Sequence, residues 1–209
     1  MANRRSLIVS ACVAVGSFAL GGLAGCDKLG ISASSPASTF KGVDITGANY
    51  RFALPDLNGQ TRTPDDFKGK VTAVFFGYTQ CPDVCPITLA ELAQVKKSLG
   101  KDGDRLQVIF ITVDPERDTP TVLKNYVGNF DPTFIALRGT PEQTTATAKN
   151  FKMFFAKAPG KTPESYTVDH TAGTYLFDTR GQVRLFEQRN NDSGLAALNA
   201  DVKALLAAS

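Results

Sequence analysis

The stretch Val71-Thr-Ala-Val-Phe-Phe-Gly-Tyr-Thr-Gln-Cys-Pro-Asp-Val-Cys-Pro86 decides how the chain folds and where its chemistry sits. Its first eight residues are β-branched or aromatic apart from one alanine and one glycine, the composition of a strand buried on both faces. Two thiols then arrive at the end of that strand. Pro86 is tolerated in the first turn of a helix but not in its interior, where it clashes with the carbonyl four residues back. Cys85 therefore stands at the mouth of a helix and Cys81 in the loop before it.

Three residues separate the two cysteines, not the two of a tight dithiol switch. Backbone N–H groups at a helix start stabilise a thiolate and lower its pKa. Two soft thiolates side by side suit Cu(I), and one added imidazole makes Cu(II) tolerable as well. Zinc is the other metal this chemistry admits, although structural zinc takes four protein ligands. The sole histidine, His170, lies far downstream in Thr167-Val-Asp-His-Thr171, read as a polar loop before the next strand. Asp169 is a candidate to orient its imidazole.

Working outward, residues 50–54 and 60–63 flank the turn Asp56-Leu-Asn-Gly59 and predict a small hairpin. A helix is expected over residues 86–99, with Ile87, Leu89, Leu92, Val95 and Leu99 facing the core and Gly100 as its stop. Residues 106–113 form a second buried strand, Thr119-Pro120 opens a helix to about 127, and 134–137 is a short strand. Thr140-Pro-Glu-Gln143 resembles a capping box, with its helix expected to run through Phe155, so that Phe151, Phe154 and Phe155 belong to a helix core. Residues 173–178 and 182–186 make an antiparallel hairpin, and a helix over 193–207 closes the chain. The order gives an α/β fold, a thioredoxin-like central sheet flanked by helices, with an added N-terminal β-hairpin. In such a sheet the segment carrying His170 faces the cysteines. It has no proline, where related oxidoreductases place a cis-proline.

The N-terminus reads as an export signal. Arg4-Arg5 precede an apolar stretch over residues 7–20, and Leu23-Ala-Gly-Cys26 puts small residues before a cysteine, as in a bacterial lipoprotein box. Residues 1–25 are then a signal peptide, Cys26 is the lipidated first residue, 26–44 is a Ser-, Ala- and Gly-rich tether, and 45–209 is the folded domain. Acyl chains would hold that domain at a membrane without spanning it. Asp27 resembles a signal for retention at the inner membrane, facing the periplasm. A plain secretory signal cut near Ala24 and an uncleaved anchor are the alternatives, and both Sec and twin-arginine export fit Arg4-Arg5.

Cys12 leaves with the signal and Cys26 takes lipid, so Cys81 and Cys85 remain as thiols of the domain. Outside the cytoplasm such a pair oxidises unless a thiol reductant keeps it reduced. Removing residues 1–25 takes two of the 23 basic residues and none of the 20 acidic ones. The near-neutral remainder gives no reason to expect nucleic-acid binding. An apolar content of 43% is that of a globular chain.

Three ordered motifs are shared with one family: residues 76–86, then Val113-Asp-Pro-Glu-Arg-Asp-Thr-Pro120, then Val168-Asp-His-Thr171. Over residues 47–206 the chain resembles the Sco/SenC family. The resemblance implies copper bound by Cys81, Cys85 and His170, one ion per chain. It also implies a role in assembling the dinuclear copper centre of a respiratory cytochrome c oxidase, with that oxidase's copper-centre subunit as partner. The expected activity is binding and delivery by a monomer, without turnover. The rival is a thiol–disulfide oxidoreductase that reduces the cysteines of the oxidase subunit or of another partner. A thiol peroxidase, the third reading, needs an activating Thr/Arg setting around its cysteine that this loop lacks. Residues 114–118 are read as a capping and salt-bridge loop, with Asp118 or Thr119 as N-cap, or as a partner-docking loop.

Overall fold

The computed structural model describes residues 40–162, 165–188 and 194–208. The signal, Cys26 and residues 27–39 of the expected tether lie outside the described residues, as does Ser193. No helix among those described is long and apolar enough to cross a membrane.

The expected buried strand is β4, Val71–Gly77, and every one of its residues is buried. It pairs in parallel with β5, Leu106–Thr112, from Val71 opposite Leu106 to Gly77 opposite Thr112. The strand β6, Ile135–Leu137, continues the sheet in parallel on the far side of β5. On the other side of β4 lies β9, Thr174–Phe177, antiparallel, then β10, Val183–Glu187. The edge strand β1, Val43–Asp44, completes the order β1-β10-β9-β4-β5-β6. Neither residue of β1 is buried, and a two-residue strand shows no alternation, which left it without a sequence signal.

Alternation in β4 divides the core into two layers. Val71, Ala73 and Phe75 point to one face, where they join Leu89, Leu92 and Val95 of α1 (Val84–Ser98), Leu123 and Val127 of α2 (Pro120–Gly128), and Leu198, Val202 and Leu205 of α4 (Gly194–Ala207). Val74 and Phe76 point to the other face, with Phe52, Leu54, Phe151 and Ala148 of α3 (Pro141–Asn150). Each fully buried Leu or Phe contributes about 1.5–3 kcal/mol, so these two layers dominate the stability. The sheet with helices on both faces is the expected thioredoxin-like arrangement. The N-terminal hairpin is present but short: β2, Leu54–Pro55, pairs with β3, Thr61–Arg62.

Three expectations are corrected. Helix α1 begins at Val84, two residues early, which places Cys85 inside its first turn and leaves Ile87 37% exposed rather than in the core. Helix α3 ends at Asn150, not Phe155. Lys152 adopts φ 52°, its N–H bonds to Lys149 O, and the Met153 N–H bonds back to Ala148 O. That pair of bonds is a Schellman stop, and a lysine in the position glycine usually takes hides it from sequence reading. Of the three phenylalanines, Phe151 is core, Phe154 is 64% exposed, and Phe155 opens the strand β7, Phe155–Ala158. Lastly, His170 is not in a loop. It ends the strand β8, Thr167–His170, whose partner is β7, with His170 directly opposite Phe155.

Candidate metal centre

Residues 78–83 form the turn between β4 and α1, closed at its start by a hydrogen bond from Cys81 N–H to Tyr78 O at 3.2 Å. Cys85, fully buried in the first turn of α1, packs over β4, while Cys81 is partly exposed at the rim. Gly77 makes room for the inner thiol. A Cβ there would lie 2.8 Å from Cys85 Sγ and 2.9 Å from the Phe110 ring.

The β7–β8 hairpin brings His170 to the same place. Its Nε2 stands 3.5 Å from Cys85 Sγ, and the donor atoms of Cys81, Cys85 and His170 all lie within 4.8 Å of one another. The ring meets Phe75 and Tyr78 edge-on, at centroid distances of 6.2 and 6.1 Å. Nδ1 lies 3.1 Å from the Thr171 carbonyl oxygen. A carbonyl only accepts, so Nδ1 carries a proton and Nε2 is the ring nitrogen turned toward the thiols. The orienting group is thus Thr171 O. Asp169, exposed on the outer face of β8, does not take that role. Backbone acceptors leave no mark in a sequence, and a neighbouring carboxylate does.

The two thiols are not equivalent. A hydrogen bond from Cys85 stabilises the Cys81 thiolate, and His170 and the backbone N–H groups of Asp83 and Cys85 add to it. Together they outweigh burial and bring the Cys81 pKa down to about 4. Cys85, which gives that hydrogen bond and is deeply buried, is pushed up. Cys81 is therefore the thiolate of the metal-free pair and Cys85 its proton donor. Iodoacetamide should alkylate Cys81 at a rate that stays flat from about pH 5.5 to about pH 7.5, whereas an ordinary thiol gains about tenfold per pH unit there. Mass mapping of the labelled cysteine checks this, and a rate that climbs like that of a free thiol would contradict it.

Two thiols and one imidazole nitrogen that converge in this way can hold a soft ion. Among the described residues the group has three members, one fewer than structural zinc takes.

A family model described as SCO1/SenC matches residues 44–206. The chain belongs to the SCO1/SenC family. One family relative, the SCO2-like protein of Rickettsia felis, is 39% identical over 132 residues, 63% of this chain and 64% of its own length. The chain thus spans just under two thirds of that relative. Among solved structures, Bradyrhizobium japonicum ScoI with copper bound is 41% identical, with a TM-score of 0.66 over 74% of this chain and 97% of its own. A SCO1/SenC family lipoprotein from Bacillus anthracis is 26% identical, with a TM-score of 0.65 over 78% of this chain and 96% of its own.

Proposed function

We propose that Cys81, Cys85 and His170 bind one copper ion, and that the chain delivers it toward the dinuclear copper centre of a respiratory cytochrome c oxidase. The observation that carries this reading is the convergence of the three donor atoms within 4.8 Å, with Nε2 turned toward the thiols. Copper in the Bradyrhizobium relative supports the choice of metal. Two thiolates hold Cu(I), and the imidazole extends the site to Cu(II). The Bacillus relative's being a lipoprotein supports an anchor at Cys26, with the tether giving the domain reach from the outer face of the membrane. The oxidase partner rests on the family resemblance of the three sequence motifs.

One observation favours thiol exchange as a second reading. A low-pKa thiolate at the rim beside a buried thiol is the asymmetry that attack and resolution need. His170→Ala separates the two. Exchange needs an attacking and a leaving thiol and no imidazole, so the variant should change the reduction potential of Cys81–Cys85 only modestly, through the lesser support His170 gives the Cys81 thiolate, while losing Cu(II) affinity by at least about tenfold. Cells that depend on the protein should then lose oxidase activity at low copper and regain part of it when copper is added. A variant that binds both copper states normally yet fails to reduce a partner's disulfide would overturn the delivery role. Cys26→Ser should release the domain from the membrane fraction or leave it unprocessed.

A further inference from the structure

Residues 114–118 join β5 to α2, contribute no donor to the thiol–imidazole group, and touch both segments that carry it. Thr119, not Asp118, caps α2. Asp118 is fully buried and turns the other way. Its carboxylate accepts from Thr79 N at 3.2 Å, Thr79 Oγ1 at 2.6 Å and Thr112 Oγ1 at 2.5 Å, which fixes the chain two residues before Cys81. Arg138 holds this loop from behind, donating to Asp118 O at 2.9 Å and Pro115 O at 2.8 Å.

Arg117 reaches further. Its Nε pairs with Asp114, a carboxylate 1% exposed that also accepts from the Tyr166 hydroxyl at 2.8 Å. Its Nη1 donates to Tyr166 O at 2.8 Å and to Gln80 Oε1 at 3.1 Å. The guanidinium lies 3.5 Å from the Tyr166 ring centroid and 5.8 Å from that of Tyr78, the ring that meets His170. Gln80 is the residue before Cys81, and Tyr166 the residue before β8. One side chain thus ties the thiol loop to the histidine hairpin.

The tie matters because of the topology. The β7–β8 pair is a separate two-stranded sheet, with no ladder to the six-stranded sheet that carries the thiols. No backbone ladder therefore sets the distance from His170 to Cys85. Packing of Val168, 4% exposed, a hydrogen bond between its backbone and the Tyr78 hydroxyl, and the Lys157–Glu116 ion pair hold the hairpin down. Apolar contact is non-directional, however, and both bonds act at the paired residues Val168 and Lys157, so they do not by themselves fix its reach along the surface. A planar fork that engages both segments at once does.

We propose that Arg117 is a positioning residue that sets His170 against the thiol pair, and so sets how strongly the imidazole joins an ion held by the thiols. The inference rests on the copper reading of the site. Cu(I) is satisfied by the two thiolates, whereas Cu(II) gains more from nitrogen, so Arg117 biases the site toward holding both oxidation states.

The test uses the reduced full chain and four variants: Arg117→Lys, Gln80→Ala, His170→Ala and the Arg117→Lys/His170→Ala double. Lysine keeps a cation beside Asp114, but it offers one nitrogen and no plane, so it cannot span Gln80 and Tyr166. Gln80→Ala trims an exposed side chain and leaves the fold intact if the lysine variant fails to accumulate. Affinity for each copper state is read by competition with a chelator, together with the thiolate-to-Cu(II) absorption bands. Arg117→Lys should lower Cu(II) affinity about 10- to 100-fold and shift the bands, with a much smaller loss for Cu(I) and a weaker effect of the same sign for Gln80→Ala. In the His170→Ala background Arg117→Lys should add nothing, because its effect passes through the imidazole. In the metal-free chain it should speed amide exchange at Thr171, bonded to Phe154 O, relative to β4.

Equal losses for Cu(I) and Cu(II), or the same loss with and without His170, would make Arg117 a support of the fold and overturn its positioning role while leaving the copper site standing. A His170→Ala chain that binds both copper states as the wild type does would sink the histidine ligand, and this proposal with it.

Discussion

Replacing Cys85 by Ser should remove stoichiometric copper binding, with a loss of affinity on the order of a thousandfold or more, equivalent to about 4 kcal/mol. The serine hydroxyl is a hard donor that stays protonated, so it cannot replace a thiolate toward Cu(I). Cys85 Sγ is also the donor at the centre of the site, 3.5 Å from Nε2 of His170. Because Cys85 is fully buried, a serine there takes a hydroxyl out of water, and its shorter bond draws the oxygen back from the Cys81 and His170 partners that the thiol reaches, at a cost of about 1–3 kcal/mol. Cys81→Ser is the control, since that position is partly exposed and its hydroxyl meets water. Both variants should lose copper, and only Cys85→Ser should lower the melting temperature of the metal-free protein. Copper titration and thermal unfolding of each variant check this. Full retention of copper by either one excludes a two-thiolate site.

Phe75→Ala should have the largest effect on the fold. Phe75 is fully buried at the middle of β4, where it faces Phe110 across the parallel ladder, ring centroids 6.2 Å apart. Its ring edge also meets His170. Truncation removes most of that ring's burial and leaves a cavity that two rigid strands cannot close, a cost of about 3–5 kcal/mol. Set against a total of about 5–15 kcal/mol, this is a large fraction, and it should lower the melting temperature by roughly 10 °C. Urea unfolding of the reduced, metal-free protein measures the change. A loss under about 1 kcal/mol would mean that β4 is not the centre of the core.

Much of this architecture was legible because the chemistry that fixes it is local. The run over residues 71–78 reads as a buried strand from residue type alone, and Pro86 confines the thiols to a helix mouth. Thr119-Pro120 and Thr140-Pro-Glu-Gln143 announce the starts of α2 and α3, and both threonines do cap. What the sequence hid is tertiary. The end of α3 depends on Lys152 accepting φ 52°, which no propensity signals. Strand β8 is half exposed and four residues long, so Thr-Val-Asp-His reads equally as loop until β7 is seen beside it. The thiol loop and His170 were identified as partners, but the groups that orient and fix them were not. One is the Thr171 carbonyl, and the others act through long-range bonds from Arg117 and Asp118. A carboxylate before a helix looks the same in sequence whether it caps that helix or holds a distant loop. Residues 114–118 for this reason read in sequence as a capping and salt-bridge loop or as a partner-docking loop. The Asp114–Arg117 pair is present, while Asp118 serves Thr79 instead of α2.

X-ray absorption at the copper edge of the reduced, copper-loaded protein reads out directly whether two thiolates and one imidazole hold the ion. One copper per chain is expected, with two sulfur neighbours and one nitrogen neighbour that shows imidazole scattering. The nitrogen contribution should disappear in His170→Ala. A shell with fewer than two sulfurs, or an imidazole signal that survives loss of His170, would contradict that ligand set.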